Sequence, residues 1–291
     1  MKNLVTIFTP TYNRAELLSK LYNSLVKQTN KNFEWVIVDD GSIDNTSEIV
    51  KEFISEQKIK INYYKQKNSG KHIAINKGVE IAQGELFFIV DSDDYILPHA
   101  VGFILDKYEK IKDDQSVGGL SARRGYNINQ VIGSDNFSNF IITDVFKFRY
   151  EHYIQGDMAE VVKTSVLKKF PFPQISDEKF CPESLIWNRI GVKYKFLWLP
   201  DIIYIGEYLE GGLTDNIFKI RKKSPDSTIL FYKELQEMPI PFVQKVRANI
   251  NYWRFAKFSK KKFYDKWSNT NPLLSLIGLP LSLIFLIKDA K

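Results

Sequence analysis

Three short apolar runs in the first hundred residues each end in polar or acidic residues, and amphipathic stretches separate them. The runs are Leu4–Phe8, Phe33–Val38 and Leu86–Val90. Apolar runs of this length are typical of strands covered on both faces, as in a parallel sheet between two layers of helices. The alternation therefore predicts an α/β fold with a mostly parallel, Rossmann-like sheet flanked by helices.

The stretches between these runs have the spacing of helices that lie on a sheet. Arg14–Gln28 carries leucines on one face, and Lys71–Gln83 repeats the pattern before the third run. We expect Gly84 to end the second of these helices in a left-handed conformation. Ser42 or Asp44 is expected to cap a further helix between them.

The remaining segments have a weaker pattern, which fades between residues 125 and 144. Strands are predicted at Ile59–Tyr64, Val117–Arg123 and Lys195–Leu199, helices around Lys163–Lys169 and Pro182–Gly191, and a loop or insertion at 125–144. We expect one domain over 1–215 with halves at 1–115 and 116–215, followed by a helical extension at 216–291.

The positive charge is concentrated in that extension. Residues 216–291 contain 15 basic and 5 acidic residues, net +10, whereas residues 1–215 contain 26 basic and 29 acidic residues, net −3. The extension ends in 16 uncharged residues, 272–287, interrupted by Gly278 and Pro280. Because a spanning helix needs about 20 apolar residues, we expect a peripheral contact with the inner face of the plasma membrane. The alternative is a terminal helix buried in the protein or at a dimer contact.

Cysteine and histidine are too few for a disulfide framework or a zinc site. The chain has one cysteine, Cys181, and three scattered histidines, His72, His99 and His152. A reducing, cytoplasmic setting is therefore expected, with Cys181 as a small buried residue. We interpret His72 as a surface histidine. The apolar run near residue 1 is too short for a signal peptide and is interpreted as a strand.

Acidic and polar residues follow all three apolar runs. They form the segments Thr9–Arg14, Asp39–Ser42 and Asp91–Asp94. Each alone is explained equally well by helix capping, but the carboxyl ends of parallel strands meet at one edge, where ligands bind. Several carboxylates at one edge favour a cation and a ligand rich in hydrogen-bond donors, and Mg or Mn suits oxygen ligands.

Two common phosphate-binding motifs are absent. No G-x-G-x-x-G follows the first run, and the Gly70-Lys71 pair has Lys65 where a P-loop needs a glycine. The dinucleotide-binding and P-loop classes are thereby excluded. A nucleotide held by an aromatic face, carboxylates and a metal remains.

The order and spacing of several motifs over residues 4–95 resemble the family-2 glycosyltransferases, which have the GT-A fold. The matching segments are Val5–Arg14, Gln28-Thr29, Phe33–Ser42, Asn68-x-Gly70, Ala74-x-Asn76-x-Gly78, Ala82-x-Gly84-Glu85 and Val90–Asp94. The resemblance implies that 1–115 binds a sugar linked to a nucleoside diphosphate, commonly a UDP-sugar, and that 116–215 faces the acceptor.

The resemblance also implies roles for residues around the base. Tyr12 would stack on the base, with the Pro10 backbone beside it. Asp40 would accept the imide N–H of a uracil. Asp39 is the weaker candidate, because the first acid of the pair can serve to brace the loop.

Five further residues are implied at the diphosphate. Arg14 or Lys71 would meet the phosphates. In the Asp91-x-Asp93 motif the first acid would face the ribose and the last would bind Mn or Mg, with Ser92 also contacting the donor. Asp94 has the simpler interpretation of a cap for the next helix.

In the second half, Glu183 lies four residues before Trp187, as does the catalytic base in the segment that it resembles. Its alternative is a first-turn glutamate that supports the helix dipole, and Asp157, Asp177 and Glu178 are other candidates for the base. Many family members have a histidine in the segment corresponding to 204–214, which has none here. Gly211-Gly212 would suit a loop that closes over the donor.

These observations predict a metal-dependent, inverting glycosyltransferase that acts on a hydroxyl acceptor. The basic tail favours a polyprenyl-linked glycan as acceptor, in bacterial capsule, exopolysaccharide or O-antigen assembly, and no nucleic acid is expected as a partner. One alternative is a non-catalytic nucleotide-sugar-binding scaffold. Another is a nucleotidyltransferase, which Thr9–Tyr12 disfavours because it is not a glycine-rich loop.

Overall fold

The computed structural model describes residues 4–206 and 216–289, with side chains as far as residue 285. These residues form two compact units, one made of 4–171 and 190–206 and the other of 172–189 and 216–289. Over the described ranges, no helix combines the length and the apolar character needed to cross a membrane.

The first half of the chain alternates strands and helices as predicted. Its elements are β1 (Val5–Thr11), α1 (Ala15–Val26), β2 (Phe33–Asp39), α2 (Thr46–Ser55), β3 (Ile61–Lys65), α3 (Lys71–Ile81) and β4 (Leu86–Ile89). Every residue of β1, β2 and β4 is buried, as expected for strands covered on both faces. The predicted α/β fold is confirmed.

The following region contains more strand than the sequence indicates. It comprises β5 (Tyr95–Ile96), α4 (Ala100–Glu109), β6 (Val117–Asn127), β7 (Gln130–Val131), β8 (Ile141–Thr143), a π-helical turn (Lys147–Glu151), β9 (Met158–Lys163), α5 (Thr164–Leu167), α6 (Ser184–Lys193) and β10 (Lys195–Ile205). The expected loop at 125–144 includes two short strands, and the expected helix near residue 163 is reduced to α5.

The strands of the described residues form one sheet in the order β3-β2-β1-β4-β9-β6-β10-β5, with β7 beside β6 and β8 beside β10. The sheet is parallel from β3 to β4 and mixed beyond β4, because β9 runs antiparallel between β4 and β6. Thr11 pairs with Asp39 and Phe8 with Ile89. The acidic segments that follow β2 and β4 therefore start at the same edge of the sheet.

Helix α1 packs on one face of this sheet. Its contact surface includes the leucines whose spacing predicted the helix. Leu18, Leu21 and Leu25 are completely buried. Burial of such side chains stabilises a fold by about 1.5–3 kcal/mol each. The position of α1, and of the loop that leads into it from β1, is therefore firmly set.

Gly84 does not end α3 in the way that the sequence predicts. Its φ is not in the left-handed region. A Cβ at Gly84 would instead collide with the backbone N of Thr6. The glycine is needed because the chain passes close to β1 before it enters β4.

The second unit contains the predicted helical extension. Its helices are α7 (Ile217–Lys223), α8 (Pro225–Glu237), α9 (Phe242–Ala256), α10 (Phe263–Ser268) and α11 (Pro272–Asp289). Asn249 of α9 is buried and donates hydrogen bonds to Gln236 at 2.8 Å, Thr270 at 3.1 Å and Ser275 at 3.3 Å. These bonds connect α9 to α8, to the residues before α11, and to α11.

Candidate functional site

Two loops at the carboxyl edge of the sheet hold each other in place. The backbone N–H of Asn13 donates to Ser42 Oγ at 2.8 Å, and Asn13 Oδ1 accepts the N–H of Ile43 at 2.8 Å. Asn13 has φ 51°, which asparagine tolerates better than most residues. Tyr12 directly follows β1 and precedes Asn13, and 46% of the Tyr12 surface is exposed. Pro10, within β1, is buried. The loop thus presents an aromatic face at the edge.

Asp39 is enclosed within the protein. Its Oδ1 accepts the N–H of Ser42 at 2.7 Å, its Oδ2 accepts the hydroxyl of Tyr63 at 2.6 Å, and Lys65 Nζ lies 3.9 Å from Oδ2. The carboxylate is completely buried. Asp39 therefore braces the loop after β2, which is the reason for which it was expected to be the weaker candidate for binding the base.

Asp40 is bound to the segment that leads into α3. Its Oδ1 accepts from Gln66 Nε2 and the Ser69 N–H, both at 2.8 Å, and its Oδ2 accepts the Gly70 N–H at 2.7 Å. Gly70 has φ 97°, a conformation that favours glycine. An ionised carboxylate has about four acceptor sites, so three donors fix its orientation and leave capacity for one more.

Asp91 and Asp93 each face a cation. Lys71 Nζ lies 2.6 Å from Asp91 Oδ1, and Arg14 Nη1 lies 2.5 Å from Asp93 Oδ2. Burial acts to raise the pKa of Asp91, but Lys71 and Arg124 outweigh it and hold that pKa below its usual value. The predicted diphosphate and metal residues are thus brought together in two ion pairs.

Asp94 does not cap the next helix, which begins only at Ala100 with no side-chain cap. Its carboxylate accepts the hydroxyl hydrogen of Tyr204, and the same Tyr204 oxygen accepts the Asp91 N–H at 3.1 Å. Arg124 Nη1 lies 4.0 Å from Asp94 Oδ2, and its guanidinium stacks 4.2 Å from the centre of the Tyr204 ring. Asp94 is therefore part of a buried network beneath the acidic loop.

Arg124 and Tyr204 were not predicted from the sequence as part of the site. The signal available for Arg124 was the Arg123-Arg124 pair after an apolar run, because a cation at the end of a buried strand lies at the edge where ligands bind. Nothing comparable identified Tyr204, whose place depends on the pairing of β10 with β6. Burial raises the pKa of Tyr204 well above its usual value, so the phenol stays protonated and able to donate.

Glu160 is a further acid that the sequence did not single out. It lies in β9 opposite Ser121 of β6, near the end of β9 that shares an edge with the end of β4. Burial raises the pKa of Glu160 to about 7, although Arg124 and Arg149 act in the opposite direction. A carboxyl group that titrates near neutral pH at a ligand-binding edge is a candidate for proton transfer.

The interpretation of His72 as a surface residue is wrong. Only 2% of His72 is exposed, since it lies on the face of α3 that also buries Ile75 and Val79. Burial lowers the pKa of His72 to about 4, although the nearby Asp40 acts to raise it. The imidazole is therefore neutral at physiological pH.

The described residues allow a test of whether a divalent ion fits. They contain no group of three or more His, Cys, Asp or Glu side chains that could hold a metal. Asp93 has one oxygen bonded to Arg14, and its Oδ1 makes no hydrogen bond to the part of the chain that the structure describes. Mg²⁺ commonly binds through one or two carboxylates together with substrate phosphates and water. The residues fit an ion that a bound diphosphate helps to hold.

Glu183 belongs to the second unit, where it directly precedes α6. Its carbonyl accepts the N–H of Ile186 at 3.0 Å, and its side chain is partly exposed. Glu178, another candidate for the base, accepts the Asp226 N–H at 2.6 Å and the Ser227 N–H at 2.7 Å. Glu178 is thus occupied in capping α8.

Two remaining expectations concern the middle of the chain. Cys181 is buried, and burial raises the pKa of its thiol to about 12, which fits a structural rather than a nucleophilic residue. The segment 207–214, with the Gly211-Gly212 pair and without a histidine, lies outside the described residues.

The chain is similar to a known protein family and to several known proteins. The model of the family described as glycosyl transferase family 2 matches residues 6–168. The chain is 29% identical over 233 residues to glycosyltransferase GlyG of Streptococcus pneumoniae, which covers 76% of this chain and 76% of GlyG. Other curated relatives are much longer, and the match spans only 16% of one and 34% of another.

Solved structures with the same fold include two with a bound sugar nucleotide. Residues 1–349 of S. aureus TarS in complex with UDP-GlcNAc superpose with a TM-score of 0.66 at 20% identity, over 94% of this chain and 83% of that chain. The mannosyltransferase PcManGT of Pyrobaculum calidifontis, in complex with GDP-Man and Mn²⁺, gives 0.57 at 16% identity, over 100% and 80%. At these identities the likeness establishes the GT-A fold alone.

Proposed function

The chain belongs to glycosyl transferase family 2, and on that premise we propose that it transfers a sugar from a UDP-sugar to a hydroxyl acceptor, with inversion at the anomeric carbon. The observation that carries the proposal is the pair of carboxylate–cation contacts, Asp91 with Lys71 and Asp93 with Arg14, at the carboxyl edge of β1, β2 and β4. Such an edge suits a ligand that carries both phosphates and donor groups.

The base of the nucleotide would bind between Tyr12 and Asp40. Tyr12 offers an exposed aromatic face for stacking, with Pro10 beside it in β1. Asp40 is held by three donors and keeps capacity for one more, which the imide N–H of uracil would fill. Cytosine lacks that N–H, so this contact favours UDP over CDP.

The diphosphate would bind where Lys71 and Arg14 meet the acidic loop. Both cations can turn from the carboxylates to phosphate oxygens, and the guanidinium of Arg14 suits bidentate contact. Asp93 would hold Mn or Mg, with Asp91 toward the ribose and Ser92 between them. The ion supplies charge neutralisation for the departing diphosphate. The neighbouring cations hold the pKa of Asp91 below its usual value, so its carboxylate is ionised at neutral pH.

We assign removal of the acceptor proton to Glu183. In the displacement the acceptor oxygen forms a bond to the anomeric carbon, the bond from that carbon to the diphosphate oxygen breaks, and the hydroxyl proton passes to the Glu183 carboxylate. The partial exposure of Glu183 supports this choice, as does the occupation of Glu178 in capping α8.

We further propose that the acceptor is a polyprenyl-linked glycan of a bacterial cell-surface polysaccharide, and that the chain works at the cytoplasmic face of the plasma membrane. The net charge of +10 over 216–291 supports contact with anionic lipid. The buried, unpaired Cys181 fits a reducing compartment. Contact through the C-terminal helices would be peripheral.

Calorimetric titration with UDP, GDP, CDP and dTDP tests the donor site, first with Mn²⁺ and then with EDTA. We expect UDP to bind in a metal-dependent way, and absence of binding to every diphosphate would contradict the proposal. Incubation with a UDP-sugar then identifies the reaction, because glycosyl transfer releases UDP whereas nucleotidyl transfer involves pyrophosphate. Binding without turnover on any acceptor would favour the scaffold alternative.

A further inference from the structure

Helix α11 presents most of its large apolar side chains outward, and it buries Leu274 together with its small side chains. The inward positions include Ser275, Gly278 and Ser282, all of them buried. The outward positions are apolar and exposed: Leu273, Leu276, Ile277, Leu281, Leu283, Ile284 and Phe285. A helix on the surface of a water-soluble protein normally has the reverse arrangement.

Specific inward contacts fix this orientation. Ser275 Oγ accepts hydrogen bonds from Trp253 Nε1 at 3.0 Å and from Asn249 Nδ2 at 3.3 Å. Gly278 packs so closely on α9 that a Cβ there would collide with Asn249 Oδ1. Small residues at such positions allow two helices to approach closely, as they do within membranes. Rotating α11 to hide its leucines would break these contacts.

The exposed apolar surface continues onto α10 and is accompanied by positive charge. Phe263 and Tyr264 are exposed at the start of α10. The segment 257–266 contains five lysines and one aspartate. Along α11 the exposed face runs from Leu273 to Phe285, about 18 Å at ~1.5 Å per residue. A long apolar strip beside clustered lysines matches the boundary between the chains and the head groups of an anionic bilayer.

A cavity of about 170 Å³ opens beside this strip, within the second unit. Its apolar lining includes Trp253, Phe263, Leu279 and Leu283, and Lys257 and Lys266 also line it. Pockets that enclose a drug-sized ligand measure about 300 Å³ or more. This cavity is therefore suited to a segment of a hydrocarbon chain rather than to a whole soluble molecule.

We propose that α10 and α11 lie on an anionic phospholipid surface and that the cavity receives part of one lipid chain, with the lysines at the level of the phosphates. The inference deepens the proposed function, since it specifies how the chain contacts the membrane that carries the proposed acceptor. The membrane protein-like packing of α11, the lysines and the cavity each support it independently of the donor site.

The lysines argue against a second copy of the chain as the occupant. A two-fold contact would bring the same patch of both copies together, so the lysines of one copy would face those of the other. Like charges brought close together repel one another. An anionic surface has the complementary charge.

Co-sedimentation with vesicles tests the surface. Full-length protein is expected to bind vesicles of phosphatidylcholine with phosphatidylglycerol, and to bind pure phosphatidylcholine at least tenfold more weakly. Ile284→Asp should reduce binding at least tenfold. Ile128→Asp is the matched control, because Ile128 and Ile284 are both 64% exposed and Ile128 lies in the other unit. Equal loss in both variants, or no binding by the wild type, would overturn the inference.

Fluorescence quenching tests the cavity. Because Trp267 of α10 would also lie at the bilayer, the test uses the Trp267→Phe background. There, phosphatidylglycerol with bromine on its acyl chains should quench Trp253, and adding Trp253→Phe should remove most of the quenching while vesicle binding persists. Binding with the same quenching in Trp253→Phe would overturn the assignment of the cavity. A dimer that Ile284→Asp dissociates, without vesicle binding, would identify a second copy as the occupant and also overturn it.

Calorimetry with UDP and Mn²⁺ on the same preparations separates the two proposals. Loss of vesicle binding with intact UDP binding contradicts only the membrane surface. Vesicle binding without affinity for any nucleoside diphosphate contradicts only the proposed function.

Discussion

The hydroxyl of Tyr204 donates to the carboxylate of Asp94, although 110 residues separate them in the chain. The same oxygen accepts the N–H of Asp91, so one buried phenol supports both ends of the acidic loop that follows β4. Arg124 stacks on the ring and lies near Asp94. The positions of the carboxylates that would meet a diphosphate therefore depend on residues from β6 and β10.

Tyr204→Phe should disturb this loop without changing the packing of the ring. The variant removes the hydrogen bond that the phenol donates to Asp94 and the acceptor of the Asp91 N–H, and we expect the free energy of unfolding to fall by about 1–3 kcal/mol. Urea denaturation measures that change, and calorimetry should show weaker binding of UDP with Mn²⁺. Tyr153→Phe is the control, because Tyr153 is exposed and its loss should cost less than about 0.5 kcal/mol. Equal effects in the two variants would contradict the support role.

Asp93→Asn tests the proposed metal position. The amide keeps the shape of the side chain but removes its charge, so the affinity for UDP with Mn²⁺ should fall more than about tenfold, or ~1.4 kcal/mol. Affinity in EDTA should change little. Asp106→Asn is the control, since Asp106 is exposed on α4 and faces Lys107. Unchanged dependence on Mn²⁺ in Asp93→Asn would exclude Asp93 as a ligand.

The parts of the fold and site that the sequence predicted are those set by local pattern. β1, β2 and β4 are apolar runs and could be predicted as strands. The acidic site residues could be predicted too, because they lie directly at the ends of those runs. β9 was not predicted because Met158–Lys163 has little of the alternation typical of strands, and its extended form depends on pairing with β4 and β6. The contact of Tyr204 with Asp94 likewise requires the order of strands in the sheet.

His72 is a different case, because the signal was present in the sequence. It precedes Ile75 by three residues and Val79 by seven, which places all three on one face of a helix. Histidine as a residue type suggested an exposed side chain, whereas the spacing of His72 from Ile75 and Val79 indicated a buried one. For Asp94 the residue type was again misleading. An acid before a helical stretch was interpreted as a helix cap, but α4 begins six positions later.

His72→Gln should change how stability depends on pH. The unfolded chain binds a proton on His72 as pH falls through about 6.5, but the folded protein does so only near 4, so this residue lowers the free energy of unfolding as pH falls from 6.5 toward 4. Between pH 7.5 and 5 the loss due to His72 is about 2 kcal/mol. Urea midpoints of wild type and variant should therefore converge toward low pH. His152→Gln, at an exposed histidine, should parallel the wild type.

Glu160→Gln should reveal the opposite dependence. The folded-state pKa of Glu160 is about 7 against an ordinary 4.5, so the folded protein binds the proton more tightly and this residue lowers stability as pH rises from 4.5 to 7. Replacement by the neutral amide should therefore make the variant gain stability relative to wild type as pH rises through this range. Exposed Glu151→Gln serves as control. A constant difference between wild type and Glu160→Gln at all pH values would contradict the raised pKa.

Glu183→Gln separates binding from catalysis. The amide cannot accept the acceptor proton but keeps the size of the side chain, so kcat should fall about 10²–10⁴-fold while UDP affinity stays unchanged. Release of UDP from a UDP-sugar in the presence of an acceptor measures the first quantity, and calorimetry with Mn²⁺ measures the second. Glu237→Gln, at an exposed position in the same unit, should retain full activity. Full activity in Glu183→Gln would exclude it as the base, and the exposed Asp157 and Asp177 would be the next residues to replace.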